Sequence, residues 1–592
     1  MEKWFVTAKS GEFDKWAETF HISPVLARIL RNRELKEELT MGKFLFGTLE
    51  DCHSPWLLKD MDRAVQEIEE AKAQELNIRV IGDYDVDGIC SAYILSRGLE
   101  VYGAKVDTMI PHRIHDGYGL NEQLIEEAGK DGIGMIITCD NGIAAAGQIQ
   151  MALELGIKVV VTDHHEVPFE ECTDVDGTQS RKEILPPAAA VVDPKRHDCA
   201  YPYKNICGAM VSFKLLQALA EKSANVALQR ELEAFYEFVA LATVCDVMEL
   251  LDENRIMVKE GLKRMRSSRN PGLQALIEVN QLDSHKLSAY HLGFVIGPCL
   301  NATGRLDTAK RALELLQSKS RVEAVTAARA LKELNDSRKN LTLQGVEDAE
   351  KYMAEHDIQK DSVYLIYLPD VHESLAGIIA GRIREKYNHP VFVLTKGEEG
   401  VKGSGRSIDS YHMYEAMVRN KQFFTKFGGH KLAAGLSMNE EDIEPLRQAL
   451  NADCGLGEED FYAKVVIDVP MPLSYADEVL AKQQELLEPF GVGNPKPLYA
   501  EKNVIFNRIT LFGKNKNVMR CNVSTADGRM HQMVYFGNME RFETFIREKH
   551  GEKALEDLKA GYGEVTVNVA YQIGMNSYNG RSELQMIMQN FC

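Results

Sequence analysis

Residues 77–88 read NIRVIGDYDVDG, a short apolar run followed by three aspartates at alternate positions, Asp83, Asp85 and Asp87, and then a glycine. The pattern of apolar run and then acid returns as GMIITCD at 134–140, IKVVVTDHH at 157–165 and AAAVVDP at 188–194. Runs of this length and β-branched content, alternating with segments of helical period, predict βαβ units and a buried parallel sheet. Such sheets bind their ligands outside the carboxyl ends of the strands, so Asp83, Asp140, Asp163 and Asp193 are expected to converge on one crevice. A single aspartate at a strand end is ordinarily a cap or turn residue, but that explanation weakens when every run ends the same way.

Packed carboxylates raise one another's pKa unless a cation or a shared proton neutralises them, so the chemistry implied is divalent metal binding. Asp85 and Asp87 are expected to point to the same side if their segment is extended. His164 and His165 directly follow Asp163 and add imidazole to an oxygen-rich set, which suits Mn²⁺ or Mg²⁺ better than a thiolate zinc site. Cys139, beside Asp140, reads as a structural thiol. No GxxxxGK[ST] occurs and no GxGxxG joins a strand to a helix, which removes P-loop NTPases and dinucleotide enzymes. Phosphate ester hydrolysis with two ions fits what remains.

Outward from this block, residues 1–75 read as a helical region, from the periodicity of SPVLARILRNRELKEEL and DMDRAVQEIEEAKAQ. The α/β domain is expected over 76–250. A helical connector follows over 251–355, ending in the charged stretch 320–356, which reads as one or two solvated helices. SVYLIYL and PVFVLT flank LAGIIAGRIREKY and give a second, smaller α/β domain over 356–455. From 456 to 592, runs such as VIFNRITLF, EVTVNVAYQI and ELQMIM between turn signals predict a small β-barrel or open sheet.

At 592 residues several domains are expected, and 45% hydrophobic with 27% charged residues is an ordinary globular composition. A charged N-terminus and the absence of an apolar run near the roughly 20 residues that span a bilayer predict a cytoplasmic protein without membrane association. Eleven cysteines without a CxxC pair argue against a disulfide framework or a zinc ribbon. The net charge of -19 excludes bulk electrostatic coating of nucleic acid, although residues 496–592 alone carry +3. In that tail, Phe512, Tyr535, Tyr571 and Tyr578 interleave with Lys514, Lys516, Arg520 and Arg581, the mixture a single-strand groove needs. Packing of the rings in a barrel core is the competing reading.

VIGDYDVDG, TCDNG, VTDHH, VVDP and ALATVCDVMEL together resemble the ordered motifs of the DHH phosphoesterase superfamily. GSGRS at 403–407 and GGHKLAAG at 428–435 resemble its DHH-associated second domain. NATGRLDTA, EPFGVGNPKP and the β-rich tail narrow the likeness to the RecJ family, whose tail is an OB fold. The likeness covers roughly residues 76–592. It implies Asp85, Asp87, Asp140, His164 and Asp246 as metal ligands, with Asp140 bridging two Mn²⁺ or Mg²⁺ ions. Asp83, Asp163 and His165 would act beside them. Arg113 and Tyr118 in PHRIHDGYGL would hold the 5′ phosphate and first nucleotide, with Asn301, Arg305, Ser404, Arg406 and His430 on the phosphates that follow. Phe512, Lys514, Lys516, Tyr535 and Tyr578 would meet single-stranded DNA in the tail.

The resemblance implies a 5′ to 3′ exonuclease that degrades single-stranded DNA in repair and recombination. That function makes a helicase and a single-strand-binding protein the expected partners, and a cleft contained in one chain requires no dimer, so a monomer is expected. Ile81, where a pyrophosphatase-like relative carries histidine, argues against a pyrophosphatase. The alternatives are a phosphodiesterase for short oligonucleotides or cyclic dinucleotides, which would have no need of the long tail, and a catalytically silent DNA-binding scaffold, which would not retain every acid.

Overall fold

A computed structural model describes residues 2–112, 119–173, 179–397, 400–513, 516–578 and 581–592. The chain divides into two compact units: Met1–Glu2, His53–Asp246 and Glu260–Ala463 form one, and Lys3–Cys52, Val247–Lys259 and Lys464–Cys592 the other.

The first unit holds the expected parallel sheet. Its strand order is Lys105–Met109, Asn77–Gly82, Met135–Cys139, Lys158–Thr162 and Ala190–Val192, all parallel. Numbered along the chain this is order 2-1-3-4-5, whose switch point between the first and third strands is where such sheets open a ligand crevice. The four strands other than the edge strand Lys105–Met109 are buried on both faces. Helices Glu122–Lys130 and Ala146–Glu154 cover one face with Leu124, Ile125, Ile149 and Ala152, which is why Val159 and Val161 are fully buried. Helix Val86–Tyr102 packs against helices Gly208–Ser223 and Val226–Cys245.

The charged stretch after residue 320 forms one 35-residue helix, Arg321–Glu355. It is more than a solvated spacer: Ala324, Ala328, Leu331, Ala349 and Met353 are buried along it, and it packs on helices Pro271–Val279 and Glu373–Tyr387. The second sheet runs Lys426–Gly429, Ala433–Met438, Val401–Arg406, Val391–Lys396, Tyr364–Tyr367, with helix Glu373–Tyr387 against its middle strands.

In the second unit, strands Tyr499–Phe512, Val518–Ser524, Met530–Tyr535, Arg581–Phe591 and Val565–Tyr578 pair in that order, and the last pairs back on the first, closing a five-stranded barrel. Closure removes the exposed sheet edges that an open arrangement would leave. The helical N-terminus does not stand apart. Trp16, Leu26, Ile29, Leu30 and Phe44 share one core with the barrel's Phe506 and Tyr535 and with Phe542 of helix Met539–His550, and Arg33 bonds Asp468 at 2.6 Å. A strand at Glu2–Val6 lies where helix was expected. Arg255 is buried in this unit and donates to the backbone carbonyls of Phe44, Leu486, Leu487, Glu488 and Pro489, so the EPFGVGNPKP loop is tied to an N-terminal helix through one guanidinium.

Candidate metal centre

Strand register assembles the acids. Gly82 lies level with Cys139, Cys139 with Thr162, and Thr162 with Val192, so the next residues, Asp83, Asp140, Asp163 and Asp193, form a row on the carboxyl edge. All four are buried, at 3% exposure or less. Asp140 turns the chain with φ 61°, a left-handed backbone that a non-glycine residue adopts at a cost of about 1–3 kcal/mol and that recurs at functional sites.

Asp85 and Asp87 reach the crevice differently from the extended arrangement expected. Asp85 is the N-cap of helix Val86–Tyr102 and accepts from the N–H groups of Asp87 and Gly88 at 2.9 and 3.2 Å, so the helix has already begun at Asp87. The backbone donors left over at a helix start favour this geometry. Asp87 accepts from the N–H groups of Gly208 and Ala209 at 2.6 and 2.8 Å, at the first turn of a second helix. Only glycine fits at 208, because a Cβ there would lie 2.7 Å from Cβ of Asp140. Asp246 enters as the C-cap of helix Val226–Cys245.

His164 is the hub. Its Nε2 lies 3.0 Å from Asp140, 3.5 Å from Asp87 and 3.7 Å from Asp246, while its Nδ1 is buried without a hydrogen-bond partner. Burial pushes its pKa down, so a neutral ring faces three carboxylates. Burial, and then the charges of Asp87, Asp85, Asp83 and Asp246, push Asp140 well above the usual carboxylate range. Burial followed by the charges of Asp87 and Asp85 pushes Asp246 up to about 8. Asp85 is raised by burial and by the charge of Asp87. A neutral imidazole beside several crowded carboxylates that resist ionisation is a donor set suited to a cation, and oxygen with one or two imidazole nitrogens fits Mn²⁺ or Mg²⁺. Donor atoms of Asp140, His164 and His165, of Asp87, His164 and Asp246, and of Asp83, Asp85 and Asp140 lie within 4.8 Å of one another in each trio. Asp140 and His164 each belong to two of these groups.

Asp163 is a positioning residue. It accepts from the N–H of Ile143 at 2.9 Å and from Nδ1 of His165 at 2.8 Å, and so fixes the ring beside the cluster. Burial opposes protonation of His165, but the bond to Asp163 and the charges of Asp163, Asp246 and Asp87 outweigh it and raise its pKa to about 9.

The phosphate-contact candidates divide. Arg113 and Tyr118 lie outside the described residues. Arg305 bonds the carbonyl of Ser374 at 2.8 Å, in the first turn of helix Glu373–Tyr387. Ser404 and Arg406, two apart on one strand, bond each other at 3.1 Å against the same helix, where a Cβ at Gly377 would lie 2.8 Å from Oγ of Ser404. Arg305 thus meets the first turn of this helix, and Ser404 and Arg406 meet it at Gly377, donor groups that suit an anion. Asn301 uses its side-chain oxygen to accept from the N–H of Val86 at 3.1 Å. His430 is exposed in the hairpin joining Lys426–Gly429 to Ala433–Met438.

The tail requires a correction. Tyr535 is 3% exposed and packs edge-on to Phe591 within the barrel, so its ring is closed to a base. Tyr571 is fully buried as well and donates to the carbonyl of Met471. Register decides this: on a barrel strand, alternate residues face the core, and these are core positions. Phe512 is 38% exposed with the Arg520 guanidinium 5.1 Å from its ring centre, and Lys516 is exposed. Lys514 lies outside the described residues, as does the side chain of Tyr578.

Sequence reasoning missed two supports. Asn141 donates to the carbonyls of Ile81 and Cys139 at 3.1 and 3.0 Å, lacing two strands beneath the acids, and the residue after a strand-end aspartate in TCDNG is its only signal. Gly208 and Ala209 carry no motif that could have announced them as partners of Asp87.

Sheet order, edge and acids are together those of a DHH phosphoesterase. Residues 77–243 match the DHH family, N-terminal domain, residues 360–455 the DHHA1 domain, and residues 467–590 the RecJ OB domain. The chain is 30% identical to single-stranded-DNA-specific exonuclease RecJ of Escherichia coli, with 99% of each chain covered. It is likewise 30% identical to the RecJ of Bacillus subtilis, over 97% of this chain and 68% of that one. A crystal structure of RecJ with Mn²⁺ from Thermus thermophilus superposes with a TM-score of 0.80 at 26% identity, covering 100% of this chain and 79% of that one. The chain belongs to the RecJ family.

Proposed function

We propose that the protein is a metal-dependent exonuclease that degrades single-stranded DNA from its 5′ end, acting in repair and recombination. The observation that carries this reading is the convergence of Asp87, Asp140 and Asp246 on His164, with Asp85 grouped on Asp140, at the switch point of a parallel sheet. These five residues would hold two Mn²⁺ or Mg²⁺ ions, with Asp140 between them. When bound, such ions supply Lewis acidity and a nucleophile at neutral pH.

The chain's own residues do the rest. The amides of Gly208 and Ala209 hold Asp87, and the amides of Asp87 and Gly88 hold Asp85, so both carboxylates are aimed before ligand arrives. Asp163 bonds Nδ1 of His165 and so holds the ring that would pass a proton toward the departing oxygen. Arg305, Ser404 and Arg406 would bind the phosphates that follow the scissile one, with Asn301 and His430 beside the strand. Support for the 5′ polarity is the likeness of PHRIHDGYGL, with Arg113 and Tyr118, to the RecJ segment that holds the 5′ phosphate.

The expected boundaries, 76–250 for the DHH domain, 251–355 for the connector, 356–455 for the DHH-associated domain and 456–592 for the barrel domain, are offered as working limits. A cytoplasmic monomer is proposed because one chain supplies every candidate ligand; no helix among the described residues is long and apolar enough to cross a membrane. Partners that unwind or cover single strands, a helicase and a single-strand-binding protein, follow from the substrate.

The test is digestion of a long single strand, its duplex and a dinucleotide with Mn²⁺, with Mg²⁺ and with EDTA. Metal-dependent loss of the single strand alone is expected. Preference for the dinucleotide would replace the reading with that of a small-substrate phosphodiesterase.

A further inference from the structure

Ala289–His291, Leu292–Ile296 and Gly297–Leu306 run as one continuous helix whose middle segment is π-helical, a form common at functional sites. The helix is seated against the segments that carry metal-ligand candidates. A Cβ at Gly297 would lie 2.2 Å from Sγ of Cys245, the residue before Asp246, and one at Gly304 would lie 2.6 Å from the carbonyl oxygen of Tyr84, the residue before Asp85. Asn301 bonds the N–H of Val86 from the same helix.

The N-terminal end of this helix displays two aromatic rings to solvent. Tyr290 and Phe294 are 63% and 67% exposed, yet they stack on each other with ring centres 5.1 Å apart and planes 21° apart. His291 braces Tyr290 edge-on at 5.7 Å, and its own ring is held through Nδ1 by the hydroxyl and N–H of Ser288 at 2.9 and 3.1 Å. Exposed rings contribute little to folding, so a braced and stacked pair on the surface calls for a partner with a flat apolar face.

Resting on the nuclease reading above, we infer that Tyr290 and Phe294 form a stacking shelf for bases of the single strand engaged at the metal centre. The occupant follows from continuity: the helix that bears the rings also bears Asn301, joined to the ligand-bearing helix, and Arg305, bonded to the first turn of helix Glu373–Tyr387. Bases of a single strand offer free faces to such rings whatever their identity. Bases inside a duplex have both faces occupied, so the shelf favours single strands without reading sequence.

The test is a coupling experiment on the full chain in EDTA, with strands carrying one abasic nucleotide at successive positions. The Tyr290→Ala/Phe294→Ala double variant is expected to bind the intact strand about 5- to 150-fold more weakly than the wild type, as loss of base stacking implies. An abasic nucleotide at the position that meets the shelf should weaken the wild type by a similar factor and leave the double variant unaffected. Phe294→Leu, which keeps apolar bulk without a π face, should show the same loss of coupling in part. If every abasic strand weakens both proteins equally, the shelf does not exist. If the wild type neither binds nor cuts any single strand, the nuclease reading fails first.

Discussion

At the edge of the parallel sheet polar groups are buried: Asp83, Asp87, Asp140, Asp163 and His164 are all 5% exposed or less. In the C-terminal barrel the order is inverted, and rings that would suit a binding surface, Tyr535 and Tyr571, fill the core. Buried carboxylates carry a desolvation cost that folding alone does not offset, so they mark chemistry. Buried rings stabilise folding wherever they pack, so they mark only a core. The same feature, an unusual side chain at a regular position, is therefore informative in the first region and ambiguous in the second.

The contrast is broken most forcefully by substitution in each region. Asp140→Ala is expected to lower the rate of strand cleavage by more than about 100-fold, the upper loss seen for an outer partner of a metal site, while strand binding persists. Single-turnover digestion beside anisotropy measures both. Tyr535→Ala is expected to do the reverse, destabilising the barrel by about 3–5 kcal/mol in a denaturant titration through loss of a packed ring. A Tyr535→Ala protein of unchanged stability would return that residue to the surface.

Acidity sharpens the comparison. Asp246 and Asp193 have pKa values raised from 3.8 to about 8, so the folded, metal-free protein keeps protons that the unfolded chain has released between those limits. Stability contributed by these groups is complete below pH 3.8 and is lost as the pH rises toward 8. His165, raised from 6.5 to about 9, acts in the same direction over a higher window. The melting temperature in EDTA should therefore fall between about pH 5 and pH 8, and saturating Mn²⁺, which binds the deprotonated set, should flatten or reverse that slope. Asp140→Asn, which removes a carboxyl that burial and its neighbours hold protonated, should flatten it without metal.

The smallest expected effect belongs to Phe512, the tail ring that remains partly exposed. Phe512→Ala should change stability by no more than about 0.5 kcal/mol, as surface substitutions usually do. Its loss of single-strand affinity should fall within about 1–3 kcal/mol, the worth of one stacked base. Unchanged affinity would leave Tyr578, whose side chain lies outside the described residues, as the remaining tail ring singled out from the sequence.

Much of this was legible in the sequence. The four strand-end acids could be read because a parallel sheet's register turns a repeated sequence position into a spatial row, and the barrel could be read from alternating apolar runs and turns. Three things could not. The approach of Asp85 and Asp87 depends on a helix starting one residue sooner than an extended reading allows. The partners of Asp87 are backbone amides of Gly208 and Ala209, which no side-chain motif advertises. The inward or outward aim of Tyr535 and Tyr571 depends on strand register, which aromatic spacing alone does not fix.

The central claim is that the clustered acids, once loaded with divalent metal, cut single-stranded DNA. Its most direct test is a time course on a single strand labelled at either end, with wild type and Asp140→Ala side by side, in Mn²⁺ and in EDTA. The account predicts rapid release of a labelled mononucleotide from the 5′ end by wild type with Mn²⁺, and none in EDTA or from Asp140→Ala. Cleavage by Asp140→Ala at the wild-type rate would contradict it.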